Sequence, residues 1–279
     1  MLETQGTLER VGTQTDILGE CPLWDDLTQC LYWVDIRRPA IRRLRYASGE
    51  VDSWPMPDLV GSIALVDDGR LLVALPQQIA LFDPGSEQLT PFVPSLTMPE
   101  GHRFNDGRCD ARGRFWVGSM HNITRAPEGT LFCLEGAGPL RPVRNGICIP
   151  NSLAFSPDGA TLYFVSDRGG SPQIYRVPVA GGGAQRVTFS GPYNISPAIS
   201  PDGRTLAYIS RQGGAYRLVA QDVAPPFLKC GDQCGAKSSA LPRLPQLLNY
   251  RRRCVHPNLP SSFANEQLDV ILEDVQRNC

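Results

Sequence analysis

Apolar positions in the first 223 residues come in short runs, and the residues between them are turn formers rather than helix caps. LYWVD (31–35), IALVDDGRLLVAL (63–75), RFWVGSM (114–120), LAFSPDGATLYFVSD (153–167) and AISPDGRTLAYIS (198–210) either alternate or stay apolar for a strand's length. Period-two alternation and short buried runs bounded by Gly, Pro and Asp are strand signals. Helical spacing is scarce before residue 260. Beyond it Leu268, Ile271, Leu272 and Val275 fall at i, i+3, i+4 and i+7 behind Asn265 as N-cap, which predicts one amphipathic helix over about 265–277.

The turns share a register. Asp67-Asp68-Gly69, Asp110-Ala111-Arg112-Gly113, Pro157-Asp158-Gly159 and Pro201-Asp202-Gly203 place their glycines 44, 46 and 44 residues apart, and an earlier copy, WDDLTQCLYWVD, puts Thr28 at the glycine position 41 before Gly69. A period of roughly 40–50 residues with several strands per unit is the mark of a β-propeller blade. The expected fold is therefore all-β, a propeller over residues 1–223 with about five recognisable blades. Residues 224–279, where LPQLLNYRRRC lacks the next turn, form an atypical tail carrying the helix. In each turn the carboxylate caps local backbone donors and glycine supplies a positive φ, so Asp68, Asp158 and Asp202 are turn formers rather than ligands.

The same register singles out a set of polar residues. Eight positions before each anchor stand Glu20, Gly61, Asn105, Asn151 and Ile195. Innermost strands line the axis of a propeller, so equivalent positions form a ring, and Glu20, Asn105 and Asn151 would face one another. A carboxylate with two amide oxygens suits a hard cation, Ca²⁺ or Mg²⁺, and could serve Zn²⁺ or Mn²⁺. Alternatively, these side chains cap the inner strands by bonding backbone donors.

Composition narrows the partners. The net charge of −1 and pI near 6.3 give no footprint for nucleic acid or an anionic membrane, and Arg251-Arg252-Arg253 reads as a solvated run. No window approaches the ~18 apolar residues of a membrane span. The polar start MLETQGTLERVGTQTDILGE is unlike a secretory signal, and nine cysteines without a spacing pattern argue against a disulfide framework, so a cytoplasmic location is expected. Cys230, Cys234, Cys254 and His256 could be read as a zinc site, but their spacing is irregular.

LGECPLWDD…LYWVDI (18–36), RFNDGRCDARGRFWVGSM (103–120) and IPNSLAFSPDGATLYF (149–164) closely resemble the gluconolactonase/regucalcin (senescence marker protein) family over residues 14–164. That resemblance implies a six-bladed propeller that hydrolyses sugar lactones with one divalent metal ion, Ca²⁺, Zn²⁺, Mg²⁺ or Mn²⁺. It implies Glu20 and Asn151 as metal ligands and Arg103 and Asn105 as groups that hold the substrate's oxygens. The family's catalytic Asp would fall at Ile195, which has no oxygen; Asn194 is the nearest polar residue and cannot act as a base. The family's acidic substrate contact after GSM is replaced by His121, Asn122 and Ile123. Cys21 and Ser152 stand where a glycine is usual, small replacements that are tolerable if their φ is negative. Residues 165–223 resemble the propeller repeats of TolB, with SDRGGSPQIYRV and YNISPAISPDG as the telling motifs. The expected function is weak, metal-dependent sugar lactone hydrolysis, with a small-molecule substrate and neither nucleic acid nor membrane as partner. The alternatives are a non-enzymatic TolB-like propeller that binds a protein, or a fused gene product without selected activity.

Overall fold

The computed structural model describes residues 15–124 and 126–223. The arginine run at 251–253, the set Cys230, Cys234, Cys254 and His256, and the helix expected over 265–277 lie outside these residues. Nineteen strands and no helix make up the described part, so no helix there is long and apolar enough to cross a membrane.

The strands form five successive antiparallel meanders, the blades of a β-propeller. The first is β1 (Gly19–Asp25), β2 (Cys30–Asp35), β3 (Ala40–Arg45) and β4 (Val51–Pro55); the second is β5 (Ser62–Leu65), β6 (Leu71–Leu75), β7 (Gln78–Asp83) and β8 (Gln88–Pro91). The third is β9 (His102–Cys109), β10 (Phe115–His121), β11 (Gly129–Leu134) and β12 (Arg141–Ile147). The fourth is β13 (Ala154–Phe155), β14 (Thr161–Ser166), β15 (Gln173–Pro178) and β16 (Gln185–Arg186), and β17 (Tyr193–Ile199), β18 (Thr205–Gln212) and β19 (Ala215–Asp222) form a three-stranded fifth. Two compact units divide them, one running to Asn151 and one starting at Ser152. That boundary lies upstream of the change of resemblance at 164–165, which falls inside β14.

The continuous apolar runs of the second blade have a simple cause. In a strand, successive side chains point to opposite faces. Ile63 and Leu65 of β5 and Leu71, Val73 and Leu75 of β6 pack with Tyr32, Val34, Ile41 and Trp54 of the first blade. Their alternates, Ala64, Leu72 and Ala74, pack with Phe104, Phe115, Val117 and Phe132 of the third. This blade is buried on both faces, so alternation gives way to LLVAL. In the second unit Ala154, Tyr163, Ile174, Ile199, Leu206 and Tyr208 form a separate core.

The turns behave as their chemistry demands. Gly69, Gly113, Gly159 and Gly203 all take positive φ, between 66° and 87°. Asp68, Asp158 and Asp202 each accept the amide two residues on, from Arg70, Ala160 and Arg204. The first copy differs: the positive φ of 54° falls on Gln29, not on Thr28. Thr28 instead donates its hydroxyl to Asp25 Oδ2 at 2.8 Å, so the loop is closed by a side-chain bond and the left-handed residue is displaced by one.

Asp110 is the most deeply buried of these turn carboxylates. Wholly buried, it accepts Arg112 N and Arg114 N on Oδ1 and Arg114 Nε and Trp116 Nε1 on Oδ2. Removing one partner of a buried ion pair strands the other's charge, which costs about 3–5 kcal/mol. Asp110→Ala is therefore expected to lower the urea midpoint of unfolding sharply, with Asp68→Ala, on an exposed turn, changing the unfolding free energy by less than about 1 kcal/mol. Equal midpoints for the two variants would contradict this assignment.

Candidate active site

Bulges re-aim the inner strands where the in-register polar positions lie. On β1, Glu20 pairs with Val34 but Leu23 pairs with Tyr32, so one extra residue is inserted at Cys21-Pro22. On β9, Phe104 pairs with Ser119 and Gly107 with Val117, which inserts the extra residue at Asn105-Asp106. On β17, Ile195 pairs with Ile209 and Ala198 with Ala207, with the insertion at Ser196-Pro197. A bulge bends the strand and turns a side chain out of the ladder, and it is one of the few places a strand accepts proline.

The residue after the polar position is left-handed in three blades: Cys21 has φ 54°, Ser152 59° and Ser196 53°. Cys21 and Ser152 thus lack the negative φ at which such replacements would be free of strain. At Cys21 and Ser196 the left-handed residue lies within a bulge, and Ser152 takes the same conformation just before β13; each non-glycine residue there costs roughly 1–2 kcal/mol. Cys21 recovers part of this through its thiol, which donates to Ile63 O at 3.5 Å and accepts Ile63 N at 3.4 Å. Burial pushes that thiol up to about 12, so it is an inert fastener.

In the first unit Glu20, Gly61, Asn105 and Asn151 line one cavity together with Cys21, Ile36 and Asp106. The space between these side chains, open solvent included, is about 180 Å³. Four of the five register positions thus share a cavity in the first unit, while Ile195 lies on β17 of the second. Asn105 Nδ2 donates to Asn151 Oδ1 at 2.5 Å and to Pro150 O at 3.3 Å. Arg103, 8% exposed, donates Nη1 to Asn105 Oδ1 at 2.6 Å and to Phe104 O at 2.9 Å, and Nε to Asn122 Oδ1 at 2.7 Å. Its guanidinium thus reaches acceptors on Asn105, Phe104 and Asn122.

Asp106 is the residue that strand periodicity misses. In a regular strand it would face away from Asn105; the bulge lets both line the cavity. Its charge is felt by Glu20, whose carboxyl is pushed up to about 7, first by burial and then by Asp106, with Arg103 opposing. Two carboxylates and the Asn151 amide oxygen at one cavity are donors of the kind a hard cation takes, and an added positive charge would relieve the penalty on Glu20. No group of three or more His, Cys, Asp or Glu side chains poised for a metal occurs among the described residues, so the amide is needed beside the carboxylates.

Asn194 belongs to another network. Wholly buried in the second unit, it donates Nδ2 to Gln173 Oε1 and Ser190 O, both at 2.8 Å, and Gln173 also accepts the Thr188 hydroxyl. It serves as an internal structural amide.

The family model described as the SMP-30/gluconolactonase/LRE-like region matches residues 18–213. A 6-deoxy-6-sulfogluconolactonase from Pseudomonas putida is 35% identical over 56% of this chain and 54% of that relative. An L-arabinolactonase from Azospirillum brasilense is 38% identical over 53% of this chain and 50% of the relative. The chain therefore spans about half the length of the curated relatives it matches. The crystal structure of a calcium-binding regucalcin from Agrobacterium tumefaciens superposes with a TM-score of 0.62 at 25% identity, covering 76% of this chain and 74% of that one. A TolB candidate from the same genus shares the fold alone, at 18% identity and a TM-score of 0.54 over 74% of this chain and 77% of that one. The family match runs beyond residue 164, through most of the stretch whose motifs resemble TolB.

Proposed function

The chain belongs to the SMP-30/gluconolactonase/LRE-like family, and from that premise we propose that it hydrolyses a sugar lactone with the help of one divalent cation. The observation that carries the reading is the cavity where Glu20 and Asp106 stand with Asn105 and Asn151. Relatives named as lactonases of two different sugar acids supply the substrate class, and a calcium-binding relative supplies the kind of ion.

Glu20 and the Oδ1 of Asn151 would hold the cation. When bound, such an ion polarises a carbonyl and makes water more acidic. Asp106, the second carboxylate at the cavity, is placed to take the proton from the attacking water, the role that Ile195 and Asn194 cannot fill. Asn105 holds the position of Asn151, and the apolar side chain of Ile36 closes part of the wall. Ring opening breaks the acyl C–O bond; the alkoxide takes a proton back, and a hydroxy acid leaves.

D-glucono-1,5-lactone turnover by the purified full chain, with and without EDTA, tests this. Turnover above the spontaneous rate that EDTA removes and Ca²⁺, Mg²⁺, Mn²⁺ or Zn²⁺ restores is the expected result. A folded protein with no cation-dependent rate would remove the proposal. Acid should weaken the site: a cation must displace the proton that Glu20 holds up to about pH 7. Calorimetric titration should show affinity falling about tenfold per pH unit below 7 and levelling off above it.

A further inference from the structure

Neither amide at the cavity is oriented by the cavity itself. An asparagine side chain can present oxygen or NH₂ to a neighbour, and the choice depends on the hydrogen-bond partners around it. Here a donor-only group makes it. Arg103 can only donate, so Asn105 must turn Oδ1 toward Nη1, at 2.6 Å. The NH₂ of Asn105 then faces Asn151 and Pro150 O, and Asn151 must answer with Oδ1. One guanidinium thus settles which atom of each amide meets the next.

The guanidinium is in turn held from outside the cavity. Its Nε donates to Asn122 Oδ1 at 2.7 Å. Asn122 itself is fixed by a backbone bond from its amide to Gly101 O at 2.8 Å. The loop after it is closed by His121 Nδ1, which accepts Ile123 N at 3.2 Å and Thr124 N at 3.1 Å. Phe104 O and Asn105 Oδ1 both take Nη1, and Asn122 holds the Nε edge that fixes the plane of the fork.

We infer that Asn122 is a positioning residue for the lactone site: through Arg103 it sets the orientation of the Asn105 and Asn151 amides and so presents Asn151 Oδ1 to the cation. This rests on the lactonase reading above for its purpose, but the relay itself is testable without cation or substrate. Supports of this kind typically matter by 10–100-fold when a metal ligand is oriented indirectly.

The test uses the ¹⁵N-labelled full chain in EDTA at pH 7. The Asn105 side-chain NH₂ pair is identified by its disappearance in Asn105→Asp. Its exchange with water is then followed in the native chain, Asn122→Ala and Asn122→Asp. The alanine variant should exchange about tenfold faster or more. Asn122→Asp, which keeps an acceptor for Nε, should stay within about threefold of the native rate. Cation affinity should follow the same order, falling about tenfold in Asn122→Ala alone. Native exchange in Asn122→Ala, or equal loss in the two variants, would overturn the relay. If the expected exchange pattern is seen in a chain that turns over no lactone, the relay stands and the lactonase reading falls.

Discussion

Glu20→Gln is expected to abolish cation-dependent lactone turnover and, in cation-free protein above pH 7, to raise stability. Both effects come from one carboxyl whose folded-state value is raised from 4.5 to about 7 by burial and by Asp106. Between those values the folded chain keeps a proton that the unfolded chain has released. Stability from this group is therefore fully present below pH 4.5, declines through the interval, and is gone above 7. The whole interval corresponds to about 3 kcal/mol. Glutamine, neutral at every pH and nearly the same shape, avoids the penalty. Melts in EDTA at pH 5 and pH 8 should show the variant gaining about 1–3 kcal/mol on the native chain at pH 8 and little at pH 5. Added cation should stabilise the native chain and leave the variant unmoved, with turnover reduced on the order of 10²-fold or more because hard-cation affinity follows ligand charge. A variant destabilised equally at both pH values would show that Glu20 is a structural cap, the alternative first raised by its position at a strand head.

Gly61→Ala should damage the fold and the candidate site together. A Cβ at Gly61 would lie 2.4 Å from Phe104 O and 2.7 Å from Asn105 O. These are main-chain atoms of the β9 bulge, and no rotamer change removes them. Gly61 is itself anchored by its amide to Ala74 O at 2.9 Å, so one strand must shift against another. Overpacking of this kind costs about 3 kcal/mol or more, since backbone rather than side chain has to yield. For a chain of this size that corresponds to a melting point lower by roughly 6–12 °C. The segment displaced carries Asn105 and Asp106, so cation affinity should fall with stability. Gly183→Ala, where an added Cβ meets nothing within 4 Å and the backbone is not left-handed, controls for glycine loss in general; equal melting points for the two variants would refute the steric account.

The propeller was legible in the chain because its turns are local chemistry. An aspartate bonded to the amide two residues on and a glycine with positive φ need no tertiary partner, so their spacing exposes the blades directly. The gathering of Glu20, Gly61, Asn105 and Asn151 followed from the same count. What stayed hidden depends on backbone shape. Asp106 cannot be read as a cavity residue from strand alternation, because the inserted residue at Asn105-Asp106 breaks the period. The left-handed peptides at Cys21 and Ser152 are equally silent: both side chains look compatible with an ordinary strand. Arg103 is visible as a rigid donor, but acceptors such as Asn122 become known only when β9 and the loop after β10 are folded together. At the first turn, Thr28 occupies the aligned slot and Gln29 takes the unusual conformation, since a hydroxyl bond to Asp25 closes that loop differently.

The bulge on β17 survives with Ser196 left-handed although Ile195 beside it carries no oxygen. The peptide path at this slot is evidently set by the blade and not by what the side chain does. Chemistry there is a removable fitting on a permanent bracket: a single codon change can strip a functional group from the slot, or install one, while the architecture stays as it was. Such a scaffold lets activity drift faster than fold, and the same trait makes position 195 a natural place for an engineer to begin.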